Sequence, residues 1–197
     1  MQRIKVHENG IHMVWEIDKE NGLKLLHFSS LPFHEEDIDG ESAEVGFRFV
    51  EMSLAGFNRP HERHGNKFMV TAPGYRMKYV DHTDTRNEIG RLLVFNLSDE
   101  ETNVHVYAHV QFYDGTSIVR MHHIVKNEGT DTQTIEYISS FNYQGIEKEG
   151  LLPRDDKMRI HIPHHSWQRE LNWKEYTMEM LGMEQIQPKY CQRSSNL

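Results

Sequence analysis

The sequence predicts an all-β fold, an antiparallel β-sandwich with at most one short helix. Three observations predict it. Hydrophobic residues recur with a period of two almost everywhere, the signature of half-buried strands. Turn signals such as Asn-Gly and Asp-Gly break these runs at intervals of roughly ten residues. Only the stretch TMEMLGM, residues 177–183, reads as a short helix.

Taken in chain order, IHMVWEI (11–17) and LKLLHF (23–28) flank the turn Glu20-Asn21-Gly22 and form the first predicted hairpin. HEEDIDGESAE (34–44) is acidic and rich in turn formers, so 31–44 is expected to be loop, as is 60–74. FRFVEMSL (47–54) and YRMKYV (75–80) are further strand candidates. RLLVFNL (91–97) adds another before a turn at 98–101. VHVYAHVQF (104–112) alternates cleanly: Val104, Val106, Ala108, Val110 and Phe112 share one face, while His105, Tyr107, His109 and Gln111 share the other. Asp114-Gly115 then reads as a two-residue hairpin turn. In SIVRMHHIVK (117–126), Val119, Met121 and Val125 oppose Ile118, Arg120, His122 and Ile124. Asn127-Glu128-Gly129 turns the chain, and TIEYISSFNY (134–143) continues with Ile135, Tyr137, Phe141 and Tyr143 on one face. A single domain over 1–197 is expected.

Composition narrows the function. Hydrophobic residues make up 37% and charged residues 26%, enough apolar material for a core. A formal charge of −8, with no basic stripe, argues against a nucleic-acid partner. One cysteine, Cys191, cannot close an internal disulfide, so no oxidising compartment is called for. The N-terminus MQRIKVHENG lacks an apolar signal region, and no apolar run is long enough for a membrane span. A cytoplasmic protein without a membrane partner is expected.

The chain carries 14 histidines, which raises the question of a metal site. His61, Glu62 and His64, or His161, His164 and His165, contain ligand chemistry for zinc. Pro60 and Gly65 argue for a turn around the first group, and the neighbours His122 and His123 point to opposite faces of a strand. No metal or other cofactor is therefore expected. Asp81, Asp84 and the adjacent Asp155-Asp156 do not read as a glycosidase acid/base pair. No G-x-S-x-G nucleophile and no phosphate loop is present. Trp167 and Trp173 bracket WQRELNW, and tryptophans among histidines suit the C–H face of a sugar, or else edge and subunit packing.

Several blocks resemble one family. HGNKF (64–68), TAPGYRMKYVDHTDTRNEIGR (71–91), HVQFYDGTSIVRMHHIVKNEG (109–129), IEYISSFNYQGI (135–146) and DKMRIHIPHHSWQRELNW (156–173) together look like the N-terminal domain of glycoside hydrolase family 36, mostly bacterial α-galactosidases of the melibiase type. The resemblance covers roughly residues 10–190. The combination H-x-Q-F-Y-D-G, V-x-N-E-G, E-Y-x-S-S-F and H-x-P-H-x-S-W is its most specific part. It implies an antiparallel β-supersandwich of the galactose-mutarotase type, expected here to be incomplete at the C-terminus. In the family this domain precedes a catalytic (β/α)₈ barrel, which performs retaining hydrolysis of terminal α-galactosides such as melibiose and raffinose. Nothing in this sequence matches the Lys-Trp-Asp strand end that holds the family nucleophile, so no catalytic residue is carried over. The implied role is to support the barrel and to assemble a homo-oligomer. Loops of the domain can approach a neighbouring subunit's pocket. The candidates for sugar binding or an interface are His61, His64, Asn66, His164, His165, Trp167 and Trp173. Two other readings remain: a stand-alone galactoside-binding module, and a mutarotase-like enzyme using His105, His109, His122 and Glu136.

Overall fold

A computed structural model describes residues 1–35, 48–57, 71–143, 159–177 and 179–182. Its secondary structure is all-β, with antiparallel sheets in a sandwich-like arrangement. Two compact units are present, Met1–Gln144 and Gly145–Leu197.

The first unit begins with a three-stranded sheet of β1 (Gln2–Glu8), β2 (Ile11–Ile17) and β3 (Leu23–Ser29), ordered β1-β2-β3. β1 was not anticipated, because QRIKVHE carries few apolar residues. It is nonetheless held by register pairing with β2 from Gln2↔Ile17 to Glu8↔Ile11. Asn9 and Gly10 close this hairpin with φ of 50° and 78°, the left-handed values an Asn-Gly turn supplies. The turn between β2 and β3 falls where the sequence placed it. Asp18 Oδ1 accepts from Gly22 N at 2.8 Å and Asn21 has φ 62°.

The second sheet is four-stranded, ordered β5-β6-β7-β8, from β5 (Lys78–Asn87), β6 (Gly90–Asp99), β7 (Val104–Phe112) and β8 (Val119–Asn127). β7 buries Val104, Val106, Ala108, Val110 and Phe112, as the period of two requires. The two sheets meet through aromatic side chains. Trp15 of β2 lies 4.9 Å from Phe95 of β6 between ring centroids, and Phe49 packs edge-on to both. Rings of this size each remove a large apolar area from water, so this cluster anchors the sandwich.

Four expectations are corrected. Asp114-Gly115 is not a two-residue turn: the pairing Phe112↔Val119 leaves residues 113–118 as the loop. Of the described residues in the 47–54 candidate, only Met52–Leu54 form a strand, β4, while Phe49, Val50 and Glu51 are buried ahead of it. In YRMKYV, Gly74–Arg76 is a 3-10 turn, and the strand begins at Lys78 and runs on through polar DHTDTRN at the sheet edge. The alternation expected over 134–143 is a strand only at its start. Ile135–Ile138 form β9, which pairs with β4, and Ile135 is exposed while Ile138 packs on the core.

The β4–β9 pair is tied down by Glu51. Its carboxylate accepts from Thr71 N at 2.9 Å and Thr71 Oγ1 at 2.5 Å, and its backbone N donates to Ser139 Oγ at 3.0 Å. A buried carboxylate is tolerated only with such donors.

The second unit contains a hairpin of β10 (Ile160–Ser166) and β11 (Arg169–Tyr176), unanticipated from sequence, with a bulge between His164 and Ser166. Leu171 takes φ 52° opposite the bulge. The helix expected in 177–183 is a single 3-10 turn, Glu179–Leu181.

Candidate functional site

Two surfaces carry the chemistry that the sequence singled out. The first is the outer face of the β5–β8 sheet. Register places His105 opposite Lys126, Tyr107 opposite Ile124 and His109 opposite His122. On β6, Asn96 lies opposite Tyr107. His105 Nδ1 is 3.2 Å from Asn96 Oδ1, and His105 Nε2 is 3.5 Å from a Glu128 carboxylate oxygen. His109 and His122 stack at 4.5 Å, and burial together with the second imidazole lowers the proton affinity of His109. His105, His109 and His122 thus share one face. Glu136, which the mutarotase-like reading pairs with them, lies on β9 in a different sheet.

The sequence also offers four carboxylates, Asp81, Asp84, Asp155 and Asp156, of which Asp81 lies exposed on β5. Asp84 is bound by both arms of Arg91, at 2.8 Å and 2.6 Å, and this pairing holds its carboxyl below the usual range. A carboxylate so held is a poor general acid. Asp155 and Asp156 lie outside the described residues.

The second surface is the β10–β11 hairpin. Trp167 sits in its turn with 91% of its surface exposed, and Trp173, opposite Pro163, is 59% exposed. The Tyr176 hydroxyl lies 2.6 Å from His164 Nε2. His165 Nδ1 accepts from Leu171 N at 3.5 Å. His161 Nε2 and Arg159 Nε each lie 3.6 Å from Glu175. The hairpin therefore displays two indole faces beside imidazoles already engaged locally. His61, His64 and Asn66 lie outside the described residues.

Among the described residues no three His, Cys, Asp or Glu side chains gather as a metal site. Nor is any helix among them long and apolar enough to cross a membrane.

A further set of residues from the resemblance motifs is tied together by ion pairs and hydrogen bonds, and among them only Asp84 is a functional candidate in the sequence. Arg86 donates to Glu8 at 3.0 Å and to Asp114 at 2.5 Å, and Arg91 also reaches Glu8 at 3.4 Å. Asn87 Nδ2 donates to Gln111 Oε1 at 2.8 Å, and Gln111 Nε2 donates to the Phe112 carbonyl at 2.8 Å. Asp84, Arg86, Asn87, Arg91, Gln111 and Asp114 thus form one network at the end of the four-stranded sheet, linked through Glu8 to β1. The signal that would have found it is the spacing of opposite charges on either side of the Ile89-Gly90 turn.

No protein-family model matches the chain, and no curated protein matches it significantly.

Proposed function

We propose that the chain is the non-catalytic N-terminal β-sandwich domain of a family 36 α-galactosidase, of the supersandwich type, supporting a catalytic (β/α)₈ barrel and oligomer assembly. The observation that carries this reading is the network at the sheet end. TDTRNEIGR and HVQFYDG, which lie in two of the blocks on which the resemblance rests, supply its members, and the carboxylates of Asp84 and Asp114 are held by arginines. Motif residues used in this way define a framework rather than an acid/base pair. The Ser-Ser of E-Y-x-S-S-F has the same character, since Ser139 fastens Glu51. Retaining hydrolysis needs two carboxyl groups about 5–5.5 Å apart around the scissile bond. In this reading the barrel supplies them. The purified chain is expected to give no turnover of a chromogenic α-galactoside. Hydrolysis above the reagent blank, retained through repurification, sinks the proposal.

A second reading is favoured by Trp167, whose exposed indole has no packing role within its hairpin. In that reading the chain is a galactoside-binding module, stacking a sugar ring on Trp167 or Trp173. Titration calorimetry with galactose, melibiose and raffinose separates the two: saturable heat abolished by Trp167→Ala supports the module, and no heat at millimolar sugar ends it.

A further inference from the structure

The four-stranded sheet ends at β8, which pairs with β7 and with no other described strand. The ladder fixes which backbone groups of β8 face outward. Tyr113 N donates to the Ile118 carbonyl and Glu128 N to the Asn103 carbonyl, and between these bonds the register runs without a shift. Antiparallel bonding alternates, so the even-numbered residues of β8 bond to β7. Val119, Met121, His123, Val125 and Asn127 then turn their N–H and C=O groups to the open side. No backbone bond reaches those groups among the described residues.

A sheet edge of this kind is guarded by brevity, proline, a bulge or charge. β8 runs nine residues, without proline and in unbroken register, leaving charge as its only guard. Its outer face carries Arg120, His122, Ile124 and Lys126, all exposed. Ile124 is 50% exposed in the middle of this row. Arg120 makes no ion pair among the described residues. Just past the strand, Glu128 accepts from Lys126 at 2.5 Å.

We propose that β8 pairs antiparallel with β8 of a second copy of this chain, about a two-fold axis at Ile124, joining two four-stranded sheets into one. Charge selects both the occupant and the register. With the axis at Ile124, Met121 pairs with the partner's Asn127 and His123 with the partner's Val125, through the open backbone groups. The positions between them are not hydrogen-bonded across the axis, and there side chains approach closest. They set Ile124 against the partner's Ile124 and Arg120 against the partner's Glu128. His122 falls beside the partner's Lys126, whose charge Glu128 already balances. An axis one residue earlier, at His123, sets Arg120 against the partner's Lys126. An axis at His122 leaves both cations facing isoleucines, Ile124 and Ile118. Of these registers only the one centred on Ile124 gives Arg120 an opposite charge. This interface supplies a surface for the oligomer assembly of the reading above, and rests on no other part of that reading.

Sedimentation equilibrium of the full chain tests the pairing. The wild type is expected to be a dimer. Arg120→Glu places like charges together and should weaken dimerisation by about tenfold or more, as should Ile124→Lys, which brings two cations to the axis. Both side chains are exposed, so far-UV circular dichroism is expected to match wild type. Adding Glu128→Arg to Arg120→Glu restores opposite charges and should recover the dimer. A dimer indifferent to both single variants, or no recovery in the double variant, overturns this interface and leaves oligomer assembly standing. A wild-type chain that stays monomeric at high concentration removes both.

Discussion

His123 points into the core from β8, with its ring edge-on to Phe49 at 6.3 Å. The alternation of SIVRMHHIVK already separates His122 from His123, and the structure puts the second on the apolar side with Val119, Met121 and Val125. The consequence is not legible in a pattern of periods: neither ring nitrogen of His123 has a hydrogen-bond partner of normal geometry, although the Ser139 backbone is close enough to favour the charged form slightly. Burial, then the nearby His122, pushes its pKa down to about 4. A histidine lowered in the folded state binds its proton first in the unfolded chain. Stability is therefore full above the ordinary value near 6.5 and is lost as pH falls from there toward 4. Between pH 7 and 5 this one residue should withdraw about 2 kcal/mol. In His123→Phe, which keeps a ring against Phe49, that share of the acid sensitivity should vanish. Urea unfolding at the two pH values measures it, and an equal loss in both proteins would refute the role given to His123.

At the scale of elements, strand existence was readable and register was not. β6, β7 and β8 follow from alternation, because each turns mainly one face to the core, whereas β2 and β3, buried at successive positions, follow from the apolar runs on either side of the Glu20-Asn21-Gly22 turn. Placing the turn at Asp114-Gly115 would set Tyr113 against Thr116 and hence His109 against Arg120. The actual loop sets His109 against His122, so the histidine pairing could not be foreseen. Polar strands such as β1 and β5 were missed or shortened because an edge strand has little to bury and its signal is backbone pairing alone. The same holds for β10–β11, whose His-rich segment reads as ligand chemistry before it reads as a strand. The turn between β5 and β6 offers a test of how closely the elements abut. Gly90 has φ 145°, and a Cβ placed there would lie 2.1 Å from the Phe112 carbonyl oxygen. Gly90→Ala must displace either the turn or the end of β7, at a cost of more than about 2 kcal/mol. A chemical denaturation midpoint indistinguishable from wild type would show that the contact is slack.

For the molecule as a whole, the distribution of burial decides which part of the chain can stand alone. The buried hydrophobic core runs from Val6 to Phe112, and the partly buried residues packed on it extend to Tyr143. All of it falls inside the unit Met1–Gln144. The described strands of the other unit, β10 and β11, have no buried residue, and a two-stranded hairpin is at best marginally stable by itself. Sequence composition supported one domain because it sums apolar residues over the chain and cannot say where they are buried. Cooperative stability should accordingly reside in the first unit. A chain ending at Gln144 is expected to unfold in a single transition, with a free energy within about 1 kcal/mol of the full chain. The sandwich interface of Trp15, Phe49 and Phe95 gives a direct probe of this, since Trp15 is fully buried there and its fluorescence should report the same transition in both proteins. Loss of the cooperative transition in the shorter chain would mean that residues beyond 144 complete the core, and would remove the basis for assigning stability to the first unit.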